Sequence, residues 1–217
     1  MLKLLVVAAW EPELVRFRER LAAAPSELEI VTDILGVGLV EASIAMTRHA
    51  ERYHPTAALL IGTCGAFGAF GAGVVGAGGG VHLADAATSD GASAIPGPMP
   101  ASARFDGAMH DALVAAGARS VQIANTLGIT TDDALAARLS RVRVGDAPPA
   151  DVEHLEAFAF ARACEIAGVP CAAALAVANA VGSRGRAEWL AGHAIASAKA
   201  ADVAFEALGA IAQALRV

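Results

Sequence analysis

Three side chains of this sequence stand where they could do chemistry together. Glu13 follows the first apolar run, Glu156 lies fourteen residues before Pro170, and Asn179 ends the apolar run that begins at that proline. A carboxylate can remove or hold a proton, and a primary amide offers one hydrogen-bond acceptor and two donors. The trio therefore suggests acid–base chemistry on a small polar molecule, with Asn179 as a recognition group.

The length and composition favour one domain with a large core. The chain has 217 residues, of which 56% are apolar and only 5% aromatic, so the core must be built mainly from Ala, Val and Leu. Its 22 glycines allow close approaches between elements. We therefore expect residues 1–217 to form a single domain, and the apolar fraction excludes an intrinsically disordered chain.

Charge and cysteine content indicate which class of ligand and which cellular compartment to expect. Sixteen basic and 22 acidic residues give a formal charge of −6 without a basic run, which argues against nucleic acid and anionic membranes and favours a small-molecule ligand. Cys64, Cys164 and Cys171 show no C-x-x-C spacing, so we predict buried thiols in a reducing cytoplasm.

Two apolar segments are not expected to direct the chain to a membrane. The N-terminal run is followed at once by acidic residues and has no cleavage signal, so no signal peptide is predicted. Residues 55–81 carry no charge, but their nine glycines favour a strand and a glycine loop over a membrane span.

Apolar periodicity predicts strands that alternate with helices. The predicted strands cover residues 2–9, 28–38, 58–65, 119–125 and 171–179, and the predicted helices cover 13–24, 40–53, 106–117, 132–140, 152–167 and 191–216. The stretch from 66 to 100 is predicted to be irregular because it is dense in Gly, Ala and Pro. This alternation indicates an α/β fold with a largely parallel sheet covered by helices on both faces.

Five segments carry a resemblance to a known family. In chain order they are AAWEPE, GVGLVEASIAM, LLIGTCGAF, HLEAFAFARACEIAGVP and LAVANAVG. Their order and spacing resemble the purine nucleoside phosphorylase and nucleosidase superfamily, which includes the methylthioadenosine/S-adenosylhomocysteine nucleosidases. The resemblance runs from about residue 3 to residue 210 and is weakest between 66 and 150. It implies a three-layer α/β/α sandwich with a mixed, mainly parallel central sheet, a nucleoside substrate, and a homo-oligomer with active sites near a subunit interface.

The resemblance also implies roles for the two carboxylates. Glu13 matches the glutamate that activates water in the nucleosidases, and Glu156 matches the glutamate that holds the ribose hydroxyls and favours positive charge on the sugar. The alternative for each is a helix-start acid satisfied by the helix dipole. Glu153 competes for the ribose role, but it lies three residues too far from Pro170.

Three further residues are expected around the sugar. Leu155 replaces the ribose-side methionine of the family, and Thr63 stands at a serine-like position from which it could touch the sugar or simply cap its strand. Trp10 either lines the pocket or packs against the first helix to fix its start. The aromatic residue that stacks on the base in the family is not evident near TTDDALAARL at 130–139.

The two loops that would bind phosphate favour water as the nucleophile. Phosphorylases of the superfamily carry Gly-Asp-Pro and an arginine in the first loop and another arginine after the second, whereas this sequence has AAWEPEL and GVGLVEAS. A phosphate without a guanidinium partner is poorly held. We therefore expect hydrolysis. The alternatives are a phosphate-dependent purine nucleoside phosphorylase and a non-catalytic nucleoside-binding relative.

Asn179 indicates which base is bound. Adenine-specific nucleosidases have an aspartic acid at this position. An amide instead suits a 6-oxopurine, because its nitrogen donates to O6 while its oxygen accepts from a protonated N7. The alternative is a turn-forming Asn at a strand end.

The residues after Asn179 point to a particular substrate. The string NAVGSRGRAEW at 179–189 is similar to futalosine hydrolases, which release hypoxanthine from a nucleoside bearing an aromatic carboxylate, in an alternative menaquinone route. Arg184 or Arg186 would then meet that carboxylate, although a solvated loop or an ion pair is equally consistent. A methylthioadenosine/S-adenosylhomocysteine nucleosidase is the alternative reading of the same family pattern.

No cofactor or metal is expected. The GVGLVE turn lacks the third glycine of a dinucleotide-binding fingerprint. The six histidines show no H-E-x-x-H spacing, so the sequence implies no metal site.

Overall fold

The computed structural model describes residues 2–216 except 25, 69, 85–90, 92–93 and 144–147. Within them the strands are β1 (Lys3–Ala8), β2 (Glu29–Ile34), β3 (Ala57–Ala66), β4 (Val75–Leu83), β5 (Ser102–Arg104), β6 (Arg119–Asn125), β7 (Val152–His154) and β8 (Cys171–Ala180). The helices are α1 (Pro12–Ala23), α2 (Leu39–Tyr53), α3 (Gly107–Ala115), α4 (Asp133–Leu139), α5 (Ala157–Ala167), α6 (Gly185–Glu206) and α7 (Leu208–Ala214).

The eight described strands form one mixed sheet. β1 lies between β2 and β3 and is parallel to both, and β8 is parallel to β3. β8 is also antiparallel to β4, β4 is parallel to β6, and the short β7 connects β6 to β3. The hydrogen-bonded path therefore closes on itself through β3, β7, β6, β4 and β8. The strands β1 and β2 extend the sheet from β3.

Helices cover both faces of this sheet, which confirms the predicted α/β sandwich. Leu4 and Val6 of β1 pack in the core cluster that includes α1, α3, α6 and α7, whereas Leu5 and Val7 pack in the cluster that includes α2 and α5. Successive side chains of a strand point to opposite faces, so a strand covered on both sides must be apolar throughout. The continuous apolar run at the start of the sequence has this origin.

The stretch predicted to be irregular, residues 66–100, contains the strand β4, so that prediction was wrong. β4 runs through VGAGGGVHL between β6 and β8, and β5 pairs with it. A Cβ at Gly76 would lie 2.6 Å from Cγ2 of Val121, and one at Gly78 would lie 2.7 Å from Cε2 of Phe105. Strand propensity disfavours glycine, but here the close approach of neighbouring side chains requires it.

The helix predicted over 152–167 starts too early. Its first residues form β7, because Val152 pairs with Ile123 of β6 and Glu153 pairs with Gly65 of β3. The helix α5 begins only at Ala157. Pairing with two strands that are distant in the sequence has overridden the local helical pattern.

The helix predicted over 191–216 starts too late and is divided. α6 begins at Gly185 and ends at Glu206, and α7 follows directly. Two glycines conceal this start in the sequence. A Cβ at Gly185 would lie 2.9 Å from the carbonyl oxygen of Ala180, and one at Gly192 would lie 3.2 Å from that of Ala178. Glycine therefore lets α6 pack directly on the backbone of β8.

Two further predictions concern the core and the membrane. All three cysteines are free and buried, as expected. None of the helices in the described part of the chain combines the length and apolarity that crossing a membrane requires.

Candidate active site

One pocket collects most of the residues selected from the sequence. It has a volume of about 280 Å³ and opens where β1, β3 and β8 end. In α/β folds with parallel strands, ligands commonly bind outside the carboxyl ends of the strands. The described residues that line it are Ala9, Trp10, Glu13, Val37, Thr63, Cys64, Gly65, Ile129, Glu153, His154, Leu155, Glu156, Asn179, Gly185, Arg186 and Trp189.

Glu13 is held in this pocket by the end of β3. It lies in the first turn of α1, which begins with Pro12, and its side chain is only 4% exposed. Oε1 of Glu13 accepts hydrogen bonds from the backbone N–H and the hydroxyl of Thr63, both at 2.9 Å. A Cβ at Gly62 would lie 3.0 Å from Oε2 of Glu13, so glycine at this position leaves room for the carboxylate.

The environment of Glu13 makes it a group that titrates near neutral pH. Burial raises the pKa of Glu13 from 4.5 to about 7, because the charged form loses its hydration. The two hydrogen bonds from Thr63 act in the opposite direction, and the negative charge of Glu156 adds to the increase. Carboxylates with pKa values near 7 are typical of general bases and acids.

Thr63 connects Glu13 to an aromatic wall. Nε1 of Trp189 donates to the Thr63 hydroxyl oxygen at 3.2 Å. A hydroxyl has one hydrogen, so accepting from the indole directs that hydrogen toward Glu13. The sequence suggested a sugar contact or a strand cap for Thr63, and the structure places its hydroxyl on the carboxylate of Glu13, at the pocket surface.

The aromatic wall consists of Trp10, Trp189 and His193. The ring centroids of Trp189 and His193 are 4.4 Å apart in a stacked arrangement, and those of Trp10 and Trp189 are 5.8 Å apart. Trp10 and Trp189 both line the pocket, in keeping with the first of the two roles considered for Trp10. Trp189 lies at the end of the string 179–189, where its sequence position gave no sign of its contact with Thr63.

Glu156 is the residue before α5 and lies beside Leu155 in the pocket. It is buried, and Oε1 accepts a hydrogen bond from the backbone N–H of Gly38 at 2.6 Å. Gly38 has a φ of 92°, a left-handed conformation that favours glycine. The turn before α2 thus fixes one oxygen of the carboxylate.

The second oxygen of Glu156 faces His154. Oε2 lies 3.2 Å from Nδ1 of His154, which also accepts hydrogen bonds from the backbone N–H groups of Glu156 and Ala157 at 3.1 Å. Burial lowers the pKa of His154, although the charge of Glu156 partly offsets this. The imidazole is therefore neutral at pH 7 and caps the start of α5 rather than forming an ion pair.

Asn179 lies at the end of β8, which pairs with β3 on the side opposite to β7. Its Nδ2 donates to the carbonyl oxygen of Ala180 at 2.8 Å, and an amide nitrogen has a second hydrogen for another partner. A Cβ at Gly65 or Gly185 would lie 3.1 or 3.0 Å from Nδ2. The two glycines therefore make room for this side chain.

The two arginines selected from the sequence are separated by the structure. Arg186 lines the pocket, and its guanidinium lies 5.3 Å from the ring centroid of Trp189. The side chain of Arg184 is 78% exposed and lies 3.5 Å from Oε1 of Glu188. Of the two, Arg186 is the one that can reach a pocket ligand.

Glu153 is a pocket residue that the sequence did not select. Burial raises its pKa, and hydrogen bonds from Thr130 oppose the increase. Oε2 accepts from the backbone N–H of Thr130 at 3.3 Å, and Oε1 is hydrogen-bonded to the Thr130 hydroxyl. Its position depends on β7, which the sequence did not predict.

The described residues offer no cluster of three or more His, Cys, Asp or Glu side chains arranged to hold a metal ion.

No protein-family model and no curated protein sequence matches this chain. Solved structures match almost its whole length. A 5'-methylthioadenosine/S-adenosylhomocysteine nucleosidase from Colwellia psychrerythraea 34H, solved with adenine, has a TM-score of 0.82 at 19% identity, covering 96% of this chain and 95% of its own. The nucleosidase of the same kind from Neisseria meningitidis, solved with methylthio-immucillin-A, has a TM-score of 0.81 at 20% identity, covering 95% and 98%.

A second kind of enzyme has the same architecture. A futalosine hydrolase mutant of Helicobacter pylori strain 26695 has a TM-score of 0.85 at 13% identity, covering 96% of this chain and 99% of its own. The chain therefore has the fold of these nucleosidases and of the futalosine hydrolase, as the sequence resemblance implied.

Proposed function

We propose that this protein is an enzyme that hydrolyses the N-glycosidic bond of a purine nucleoside. The observation that carries the proposal is the meeting of Glu13, Glu156 and Asn179 in one pocket, with the pKa of Glu13 raised to about 7. A general base works best when its pKa is near the working pH. Glu13 is thus suited to take a proton from water at neutral pH.

In this mechanism each polar group has a separate task. Glu13 removes a proton from water as the water oxygen attacks the anomeric carbon, and the bond from that carbon to the base breaks. Glu156 accepts hydrogen bonds from the ribose hydroxyls, and its charge stabilises the positive charge that develops on the sugar. Asn179 holds the departing base, which leaves with the electron pair of the broken bond and a solvent proton on N7.

The charge of the pocket favours water over phosphate as the nucleophile. Among the described lining residues, Glu13, Glu153 and Glu156 are acidic and Arg186 is the cation. Deprotonated Glu13 would repel a phosphate dianion at the position of the nucleophile, whereas it can accept a hydrogen bond from water. A hydrolase is therefore favoured over a phosphorylase.

We further propose a 6-oxopurine nucleoside, with futalosine as the favoured substrate. Asn179 can donate to O6 and accept from N7–H, as argued from the sequence. Arg186 and the indoles of Trp10 and Trp189 lie together in the pocket wall. An aromatic carboxylate fits this combination, since indole rings stack on aromatic rings and a guanidinium pairs with a carboxylate.

A panel of nucleosides tests this proposal. Purified protein is incubated with futalosine, inosine, methylthioadenosine and adenosylhomocysteine, and released base is measured by chromatography. We expect hypoxanthine from futalosine at the highest kcat/KM, and Glu13→Gln as a control should release none above background. Release of adenine from methylthioadenosine at a higher kcat/KM would assign the protein to the other kind of nucleosidase, and release of no base would overturn the proposal.

The assembly and compartment complete the proposal. We propose a homo-oligomer from the family resemblance of the sequence, and a reducing, cytoplasmic compartment from the three free cysteines. Light scattering on the purified protein tests the oligomer directly, and a mass equal to one chain would contradict it.

A further inference from the structure

The end of β8 departs from regular strand geometry just before Asn179. In the pairing of β3 with β8, Cys64 lies opposite Val177. The next residue of β3, Gly65, lies opposite Asn179, so β8 contains one extra residue at this point, Ala178. A bulge of this kind bends the strand and re-aims the side chains beside it. The orientation of the Asn179 amide therefore depends on what holds this irregular segment.

The bulge brings Asn179 to the side of the sheet that α6 covers. Val177 packs in the core cluster that includes α2 and α5, and Ala178 packs in the cluster that includes α6. Regular alternation of side chains would return Asn179 to the first of these faces. Instead, its Nδ2 lies 3.0 Å from the position of a Cβ at Gly185, the first residue of α6. The re-aimed amide therefore lies against α6.

Glu188 of α6 holds the residue that follows Asn179. Oε2 of Glu188 accepts a hydrogen bond from the backbone N–H of Ala180 at 2.8 Å. The carbonyl oxygen of the same alanine accepts a hydrogen bond from Nδ2 of Asn179, also at 2.8 Å. Ala180 is therefore held between the carboxylate of Glu188 and the amide of Asn179, and a movement of Ala180 would move the amide.

At Ala180, Glu188 replaces the strand that pairs with the earlier part of β8. β4 pairs with β8 along residues 174–176. Among the described residues, the backbone bonds on this edge end at Val177, whose N–H donates to the carbonyl oxygen of Val74 at 2.9 Å. A backbone N–H without an acceptor is unfavourable in a folded protein. The carboxylate of Glu188 supplies the acceptor three residues beyond the last of these bonds.

We infer that Glu188 is a positioning residue, which fixes the bulged end of β8 so that Asn179 presents its amide to the base. This inference rests on the proposed function, in which Asn179 holds the base. Glu188 is not one of the residues that line the pocket, so it acts through Asn179 and not on the ligand. An amide distinguishes a 6-oxo from a 6-amino group only while its oxygen and nitrogen keep fixed positions. Loss of Glu188 therefore weakens the binding of hypoxanthine more than that of adenine.

The next residue of α6 acts on the other end of the pocket. Nε1 of Trp189 donates to the hydroxyl oxygen of Thr63, and that hydroxyl donates to Glu13. Trp189 thus influences the carboxylate that titrates, whereas Glu188 influences the amide. Substitutions at these neighbouring positions should have separate effects, on the pH dependence of turnover for Trp189 and on base selectivity for Glu188.

The alternative is that Glu188 only stabilises the start of α6. It is the acidic residue of the first turn, and its Oε1 lies 3.5 Å from Nε of Arg184. In that role its negative charge is what matters. Glu188→Gln and Glu188→Met would then both lower the free energy of unfolding and leave base selectivity unchanged. In the positioning role the acceptor oxygen matters, so Glu188→Gln, which keeps an acceptor, should behave like the wild type.

Calorimetric binding of free hypoxanthine and adenine separates the two roles without requiring turnover. We expect Glu188→Met to reduce the affinity for hypoxanthine relative to adenine by about three- to tenfold, a part of the effect of mispairing the amide completely. Glu188→Gln should stay within about twofold of the wild-type ratio, as should Arg184→Gln, which removes the ion pair and keeps the acceptor. An unchanged ratio in Glu188→Met, equal changes in Glu188→Met and Glu188→Gln, or a wild type that binds both bases alike would overturn the inference.

The Asn179→Ala background tests whether Glu188 acts through Asn179. We expect Glu188→Met to leave the affinity ratio of Asn179→Ala unchanged within about twofold, because the group that Glu188 positions is absent. A further decrease as large as in the wild-type background would mean that Glu188 acts on the ligand by another route, which would overturn the inference.

Hydrogen exchange of the Ala180 amide in the wild-type protein covers the case in which Glu188→Met does not fold. With Glu188 as its acceptor, we expect this amide to exchange at least about tenfold more slowly than in an unstructured peptide. Exchange at the rate of an unstructured peptide would overturn the inference. These measurements are separate from the nucleoside panel, in which failure to release any base would remove the proposed hydrolysis and leave the binding ratios as the test of Glu188.

Discussion

The hydroxyl and the backbone N–H of Thr63 both donate to one oxygen of Glu13, each at 2.9 Å. The two residues are 50 positions apart in the sequence. The contact joins the first turn of α1 to the end of β3. Because hydrogen bonds to the charged form lower a carboxyl pKa and burial raises it, Thr63 limits how far the pKa of Glu13 rises.

Thr63→Val should shift the pH dependence of turnover. The variant keeps the backbone bond but loses the hydroxyl bond, so the charged form of Glu13 is less stable and its pKa rises further. Since the base must be deprotonated, we expect the acid limb of kcat/KM to move to higher pH by about one to two units, from a bond of about 1.5 to 3 kcal/mol. Thr63→Ser retains the hydroxyl and is the control. If the acid limb of Thr63→Val does not move, the pH dependence of turnover does not reflect the titration of Glu13.

Trp189→Phe should produce a smaller shift in the same direction. It keeps an aromatic ring in the wall and removes the N–H that directs the Thr63 hydroxyl toward Glu13. We expect the acid limb to rise by less than about one pH unit, as for loss of one neutral hydrogen bond. Combined with Thr63→Val it should add no further shift, because the hydroxyl it orients is already absent. Additive shifts in the double variant would contradict this arrangement.

Glu13→Gln should change how stability depends on pH. The pKa of Glu13 is about 7 in the folded protein, above its ordinary 4.5, so the folded state binds this proton more tightly than the unfolded state. The contribution of Glu13 to the free energy of unfolding is therefore fully present below pH 4.5 and is lost as the pH rises through 7. Glu13→Gln removes this loss, so its free energy of unfolding relative to wild type should increase between pH 5 and pH 8 by an amount on the order of 3 kcal/mol.

Chemical denaturation at the two pH values measures this difference. Glu19→Gln, an exposed glutamate on the same helix, is the matched control and should leave the pH dependence of wild type unchanged. If Glu13→Gln and Glu19→Gln behave alike, the burial of Glu13 does not have the energetic consequence inferred here.

Asn179→Asp should change the preference between bases. A carboxylic acid can protonate N7 and accept from the 6-amino group of adenine, whereas the amide pairs with a 6-oxo group. We expect the ratio of kcat/KM for hypoxanthine and adenine nucleosides to move toward adenine by about 1 to 3 kcal/mol, the cost of one mispaired buried group. The ratio is measured with inosine and adenosine, and an unchanged ratio would mean that Asn179 does not read the base.

Much of the scaffold could be predicted from the sequence because its signals are local. β1, β3 and β8 are continuous apolar runs, and the turn at Pro12 marks the start of α1. β4 was missed because its glycines resemble a loop until their neighbours are known. β7 was missed because it has three residues and owes its conformation to pairing with β3 and β6.

The candidate site likewise contains residues that the sequence could predict and contacts that it could not. Glu13 and Asn179 stand at ends of apolar runs, so their placement at one edge of the sheet follows from the parallel strands. The bond from Trp189 to Thr63 spans 126 positions and depends on how α6 packs on the sheet. Glu153 reaches the pocket only through β7. These contacts are products of tertiary packing, which no local pattern encodes.

The most direct test of hydrolysis is the mass of the sugar product formed in the presence of excess phosphate. Wild-type protein is incubated with futalosine or inosine and phosphate, and the products are identified by mass spectrometry. We predict free hypoxanthine and the free sugar, formed at the same rate when phosphate is omitted and lost in Glu13→Gln. A sugar 1-phosphate, formed only when phosphate is present, would contradict the assignment of Glu13 as the base that activates water.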